Sequence, residues 1–160
     1  MATEARRETD PPTGFTRVLL KVVSRVHTAL YRLSGGRLGS AVGGVPTLLL
    51  GTVGRRSGKA HTTPLVYLRD GERFVVVGSA GGTAQHPAWV HNLRHAARAT
   101  VTVGQRRFAT TTTEAHGEER ARLMAELIAI FPRFADYQRQ TSRELPVVIL
   151  TPIGADNTAR

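Results

Sequence analysis

From Phe15 the apolar positions Phe15, Val18, Leu19, Val22, Val26, Leu30 and Leu33 recur at helical steps, while Arg17, Lys21, Arg25, Thr28 and Arg32 occupy another face. This spacing predicts a basic amphipathic helix over residues 15–33, ended by Gly35-Gly36. Residues 1–14 are polar, charged and proline-containing, and read as a disordered lead-in. After a glycine-rich linker over 35–44 the period changes. Apolar or β-branched runs of strand length occupy 46–53, 62–69 and 73–79. Asp70-Gly71 separates the last two and supplies the positive φ of a tight turn, which predicts an antiparallel hairpin.

Residues 86–96 read as a short helix behind Gly81-Gly82, with Pro87 in or near the first turn, where a missing N–H costs nothing. Strands at 99–103 and 107–115 flank Gly104-Gln105. Leu123, Met124, Leu127, Ile128 and Phe131 return to helical spacing after Gly117, and Pro146 opens a last apolar strand at 147–151. Hairpins with inserted helices predict a mainly β (α+β) fold, an antiparallel roll or barrel instead of a doubly wound sheet. The organisation read from the sequence is one domain over 15–152, with a tail at 153–160. A chain of 160 residues is long enough for it, since at about 150 residues roughly 68–70 % of the unfolded surface becomes buried.

Twenty-two Lys and Arg against 12 Asp and Glu leave a formal charge of +10, so an anionic partner is expected. Aromatic residues make up only 6 % of the chain and do not interleave with the basic ones, which argues against nucleic acid as that partner. The absence of cysteine excludes a disulfide framework, a thiolate nucleophile and an iron–sulfur cluster. No apolar run reaches the roughly 20 residues of a membrane span, and the first residues lack the core of a signal peptide. The expected location is the cytoplasm, either free or peripheral at the inner face of the cell membrane. The helix at 15–33 fits two roles, packing on the domain with its charges in water or lying on anionic lipid.

The densest chemistry lies in Gly54-Arg55-Arg56-Ser57-Gly58-Lys59-Ala60-His61-Thr62-Thr63-Pro64, between two predicted strands. Three cations, a hydroxyl and loop N–H groups make an anion cradle. It is not a P-loop, because three residues instead of four separate the glycines and Ala60 follows the lysine. Ser79-Ala80-Gly81-Gly82, at a strand end, would let a flat ligand approach the backbone, with Ser79 donating to a ring carbonyl. His86, His91 and His95 have no carboxylate among them, so no metal is expected. Neither GxGxxG nor GxSxG occurs, which removes a Rossmann nicotinamide site and a hydrolase elbow.

GRRSGKAHTTPLVYLRDG, VVVGSAGGTAQHPAWVHNL and IFPRFADYQRQTSRELPVVILTP, in this order and spacing, resemble the deazaflavin-dependent nitroreductase family. These are oxidoreductases that use coenzyme F420 on a split β-barrel of the FMN-binding type, and the likeness extends from near Phe15 to Pro152. The resemblance implies that Arg55, Arg56 and Ser57, with Lys59 nearby, hold the coenzyme's phosphate and polyglutamate tail. His61, Thr62, Thr63, Pro64, Leu65 and Val66 would run along the coenzyme. Val77, Gly78, Ser79 and Ala80 would bracket the deazaflavin, and Ala88, Trp89, Val90, His91 and Asn92 would present a helix start to it.

Phe131, Phe134 and Tyr137 would wall the substrate, Phe134 also touching the cofactor, and Ser79 and Tyr137 would be the polar catalytic helpers. Nitroimidazole-reducing relatives commonly carry tyrosines where this chain has Phe131 and Phe134. Ala80 stands where a lysine can occur and Val66 where a tyrosine can. The implied activity is hydride transfer from reduced F420 to a quinone, an enone or a nitro compound. An F420-binding or carrier protein with little catalysis, and an FMN-dependent relative, are the alternatives. Related split barrels are often dimers, so a homodimer is an expectation.

Overall fold

The computed structural model describes residues 41, 42 and 44–154. The lead-in at 1–14, the helix at 15–33 and residues 155–160 of the tail lie outside the described residues. The elements are β1 Ala41–Val42, β2 Val45–Val53, β3 Ala60–Asp70, β4 Arg73–Val77, a 3-10 turn Ala80–Gly82, α1 Ala88–Ala96, β5 Arg98–Val103, β6 Arg106–Glu114, α2 Gly117–Ile130, α3 Arg133–Arg139 and β7 Val147–Pro152. Six strands follow one another in the order β2-β3-β4-β7-β6-β5, and β5 pairs back onto β2. Every pairing is antiparallel, so the sheet closes on itself as a barrel.

Alternation along each strand divides the apolar residues between two cores. Leu48, Leu50, Phe74, Val76, Val101, Val148 and Leu150 meet inside the barrel, where α1 adds Trp89, Val90 and Leu93. Their neighbours Val75, Val77, Val147 and Ile149 point outward and are covered by Leu123 and Leu127 of α2 and Phe134 of α3. The central strands β4 and β7 are therefore apolar on both faces, which is why they read as continuous hydrophobic runs. Burying each such side chain contributes roughly 1.5–3 kcal/mol.

The hairpin expected at Asp70-Gly71 forms with its turn one residue later. Asp70 stays in the ladder opposite Arg73, and Gly71-Glu72 makes the connection with φ +60° at Gly71. The carboxyl of Asp70 accepts hydrogen bonds from Arg122 of α2 and from Arg73, which lower its pKa and tie the hairpin to the helix.

Three sequence expectations need correction. The 35–44 linker contains β1, whose two residues pair with β2. The strand read through residue 79 ends at Val77, because Ser79 leads into the turn at Ala80. Helix α3 was not anticipated, since its seven residues bury only Phe134 and give no periodic pattern.

Candidate functional site

Strands β2 and β3 are joined by residues 54–59. The loop is compact: the Gly54 N–H donates to the Lys59 carbonyl and the Gly58 N–H to the Gly54 carbonyl, both at 2.8 Å. The Lys59 N–H donates to Ser57 Oγ at 3.3 Å. A Cβ on Gly54 would lie 2.9 Å from His61 Nε2, so the imidazole closes on the loop and glycine leaves room for it. Arg55, Arg56, Ser57 and Lys59 are exposed.

Asn92 anchors this loop from beneath. Its amide is buried, with Oδ1 accepting the Arg55 N–H at 3.1 Å and Nδ2 donating to Thr52 Oγ1 at 3.2 Å. Both ends of the side chain are thus used in holding the protein together. Trp89 and Val90 likewise point into the barrel core, which leaves Ala88 and His91 as the more accessible side chains of the predicted 88–92 stretch.

The cations of the loop differ from six arginines elsewhere in the barrel and helices. Arg69, Arg73, Arg94, Arg120, Arg122 and Arg139 each pair with a carboxylate. Among the described residues none pairs with Arg55, Arg56 or Lys59. Their field is unquenched and available to an anion. From the loop, Ala60, Thr62, Pro64 and Val66 share the outer face of β3, while Leu65 packs on the barrel core. Val66 packs against the second core, as Phe131 and Tyr137 do, so one strand face leads from the cations toward that core.

At the end of β4, Gly78 is buried where a Cβ would lie 2.8 Å from Val90 Cγ2 and 3.0 Å from Pro146 Cγ. Ser79 is half-buried and Ala80 exposed. The turn that follows abuts α3. Gly82 has φ +80°, and a Cβ there would meet Gln140 Oε1 at 2.7 Å and the Tyr137 carbonyl at 3.0 Å, so only glycine suits both the conformation and the space. At the junction of α2 and α3 the rings of Phe131 and Phe134 make an edge contact at 4.9 Å, and on α3 Phe134 and Tyr137 make another at 6.4 Å. Phe134 is buried, so the half-buried Phe131 and Tyr137 form the accessible part of the predicted wall.

Sequence reasoning missed Arg143. Its guanidinium donates to the carbonyls of Ser79 at 2.7 Å, Thr83 at 2.8 Å and Gly78 at 3.1 Å, and lies 3.1 Å from His86 Nδ1. One side chain therefore gathers the whole connection between β4 and α1. Burial lowers the pKa of His86, and the neighbouring Arg143 charge adds to the effect, which favours the neutral imidazole. No motif spacing marks Arg143, because its partners are main-chain carbonyls some 60 residues away in sequence.

These features fit a flat, anionic redox coenzyme: unpaired cations over a tight loop, an open strand face, a glycine-lined strand end and an aromatic wall. The comparisons with known proteins agree. The family model described as F420H(2)-dependent quinone reductase matches residues 23–152. An F420H(2)-dependent quinone reductase of Mycobacterium tuberculosis is 39 % identical over 131 residues, which cover 79 % of this chain and 88 % of that protein. Among solved structures, an F420-H2 dependent reductase, FDR-A, aligns with a TM-score of 0.62 and 32 % identity, covering 66 % of this chain and 93 % of its own. A chain described as a domain-swapped dimer aligns with a TM-score of 0.64 and 30 % identity, covering 82 % and 98 %. With the barrel, the loop and a family model that spans most of its length in agreement, this chain belongs to the F420H(2)-dependent quinone reductase family.

Proposed function

We infer that this protein is an oxidoreductase that passes a hydride from reduced coenzyme F420 to an electron-poor acceptor, a quinone before an enone or a nitro compound. The observation that carries this reading is the loop at 54–59, whose three cations lack carboxylate partners among the described residues and stand at the head of a strand face whose Val66 packs on the same core as Phe131 and Tyr137. When bound, the reduced deazaflavin supplies the hydride, and the protein supplies binding, orientation and exclusion of water.

Arg55, Arg56, Ser57 and Lys59, with His61, hold the phosphate by charge-assisted hydrogen bonds. Thr62, Thr63, Pro64, Leu65 and Val66 carry the strand along which the coenzyme lies. Val77, Gly78, Ser79 and Ala80 flank the ring, while Asn92 acts by fixing the loop. Phe131 and Tyr137 offer a flat apolar contact suited to a quinone. The Ser79 and Tyr137 hydroxyls provide the donors that hold a carbonyl of the ring or acceptor. The tyrosine hydroxyls that nitroimidazole-reducing relatives carry at the positions of Phe131 and Phe134 are missing here, which favours the quinone.

Titration of the full chain with F420 and with FMN, followed by fluorescence at low and high salt, tests the cofactor. Affinity for F420 at least tenfold above that for FMN, weakened by salt, is the expected result, followed by quinone-dependent oxidation of the reduced form. Preference for FMN would overturn the reading, and F420 binding without any turnover would make the protein a carrier.

The basic amphipathic pattern of the sequence over 15–33 supports a position at the inner face of the membrane, close to lipid-soluble quinones, and the solved relative described as a domain-swapped dimer supports a homodimer. Sedimentation checks both. The chain alone is expected at twice its 17.3 kDa mass, and with anionic vesicles it is expected in the pellet, released by salt. A monomer, or a chain that stays with the supernatant at low salt, removes the respective proposal.

A further inference from the structure

The connection between β4 and α1 contains a strained turn that leans on contacts from outside it. Ala80, Gly81 and Gly82 follow one another at φ +47°, +66° and +80°, a left-handed run that an alanine adopts only at a cost. Within the turn the Gly82 N–H donates to the Ser79 carbonyl at 2.9 Å and the Thr83 N–H to the Ala80 carbonyl at 3.4 Å. Arg143 reaches in from the α3–β7 connection and holds the carbonyls of Gly78, Ser79 and Thr83.

His86 controls whether Arg143 can stay there. Its Nδ1 lies 3.1 Å from Arg143 Nη1. A guanidinium carries donors only, so this contact needs an unprotonated Nδ1 that accepts. A protonated ring would set N–H against N–H and one positive charge against another at the same distance, and the pair would have to part. Burial first, then the charges of Arg143, Arg94 and His91, hold the imidazole below its ordinary range. Arg143 faces it from the α3–β7 connection, and Arg94 and His91 from α1, the His91 ring meeting it edge-on at 5.9 Å. Glu114 of β6 acts in the opposite sense, but both of its carboxylate oxygens are engaged by Arg94. Residues 78–85 add no charge of their own.

We propose that His86 is a positioning residue for coenzyme binding: its neutral imidazole keeps Arg143 on the turn at 78–83, and its protonation releases Arg143 and with it the coenzyme ring. This rests on the F420 reading and adds acid sensitivity to it. The sign follows from linkage. The folded chain holds the imidazole neutral while the unfolded chain takes up its proton near 6.5, so the contact is intact at neutral pH and is lost as pH falls through the folded value.

The affinity of the full chain for F420, measured between about pH 8 and about pH 5, tests this in wild type and in His86→Asn. The asparagine amide oxygen can accept from Arg143 but does not titrate. Ionisations of the coenzyme and of the cation loop act on both proteins alike, so the ratio of the two dissociation constants isolates His86. That ratio is expected within twofold of one at about pH 8, and about tenfold in the variant's favour at about pH 5, which is one pKa unit of linkage. A ratio that does not change with pH would overturn the proposal. A nuclear magnetic resonance titration of the coenzyme-free chain separates the two readings. The His86 ring and the amide signals of Ser79, Gly82 and Thr83 are expected to move with one shared midpoint below 6.5, and the amides to stay still in His86→Asn. If they do so while F420 binds at no pH, the F420 reading alone fails. Amides that ignore the titration of the ring, or a ring still neutral at about pH 5, defeat the switch whatever the coenzyme does.

Discussion

Arg143→Met is expected to lower the melting temperature by about 5 °C and to weaken F420 binding about tenfold. The guanidinium makes hydrogen bonds to the carbonyls of Gly78, Ser79 and Thr83, and methionine leaves all three without that donor. Charge-assisted bonds contribute about 1.5–3 kcal/mol each when well buried. This site is only half-buried, so water recovers part of the loss and about 2 kcal/mol is the net expectation. In a chain of this size each kcal/mol moves the midpoint by roughly 2–4 °C.

The effect on the coenzyme follows from what Arg143 holds. Ser79 and Ala80 keep their places because the carbonyl of Ser79 is pinned from the α3–β7 connection, and Gly82 locks the same turn against Tyr137 and Gln140. Arg143→Lys retains the charge but has no planar fork to span three carbonyls, so its affinity is expected to resemble that of the methionine variant more than wild type. A melting point that falls while F420 affinity and turnover stay at wild-type values would show that Arg143 only supports the fold.

The contrast between Arg143 and the cation loop shows which parts of the molecule the sequence reveals. The loop was legible because Arg55, Arg56, Ser57 and Lys59 are contiguous and lie between two runs of strand period. The barrel strands were legible for the same local reason, down to the Gly71 and Gly104 turns. Closure of the barrel was legible through the family resemblance and not through local pattern, since the β5–β2 pairing joins residues about 50 apart and leaves no pattern of its own. The inward use of Asn92 was hidden as well. A polar residue on a short helix reads as a ligand contact until the structure places its amide between Thr52 and the Arg55 N–H. Phe134 went the same way: the sequence puts it in the wall, and packing draws it into the second core. Local chemistry survives reading from sequence, whereas contacts across the barrel do not.

The double substitution Arg55→Gln/Arg56→Gln is expected to weaken F420 binding about 100-fold at low salt and to leave the melting temperature within a degree or two of wild type. Both side chains are exposed and neither pairs with a carboxylate among the described residues, so their loss removes nothing that holds the fold. Each charged bond to a phosphate is worth about 1.5–3 kcal/mol in a dry site. At an exposed loop roughly half of that remains, and a factor of ten per 1.4 kcal/mol then gives about 100-fold for the pair. Because the lost interaction is electrostatic, the gap between variant and wild type should shrink as salt rises. Asn92→Leu provides the complement: the charges stay, but the Arg55 N–H loses its acceptor and the loop its anchor, so affinity should fall with little change in salt dependence. An Arg55/Arg56 variant that binds F420 as wild type does, at every salt concentration, would place the coenzyme's phosphate elsewhere on the protein.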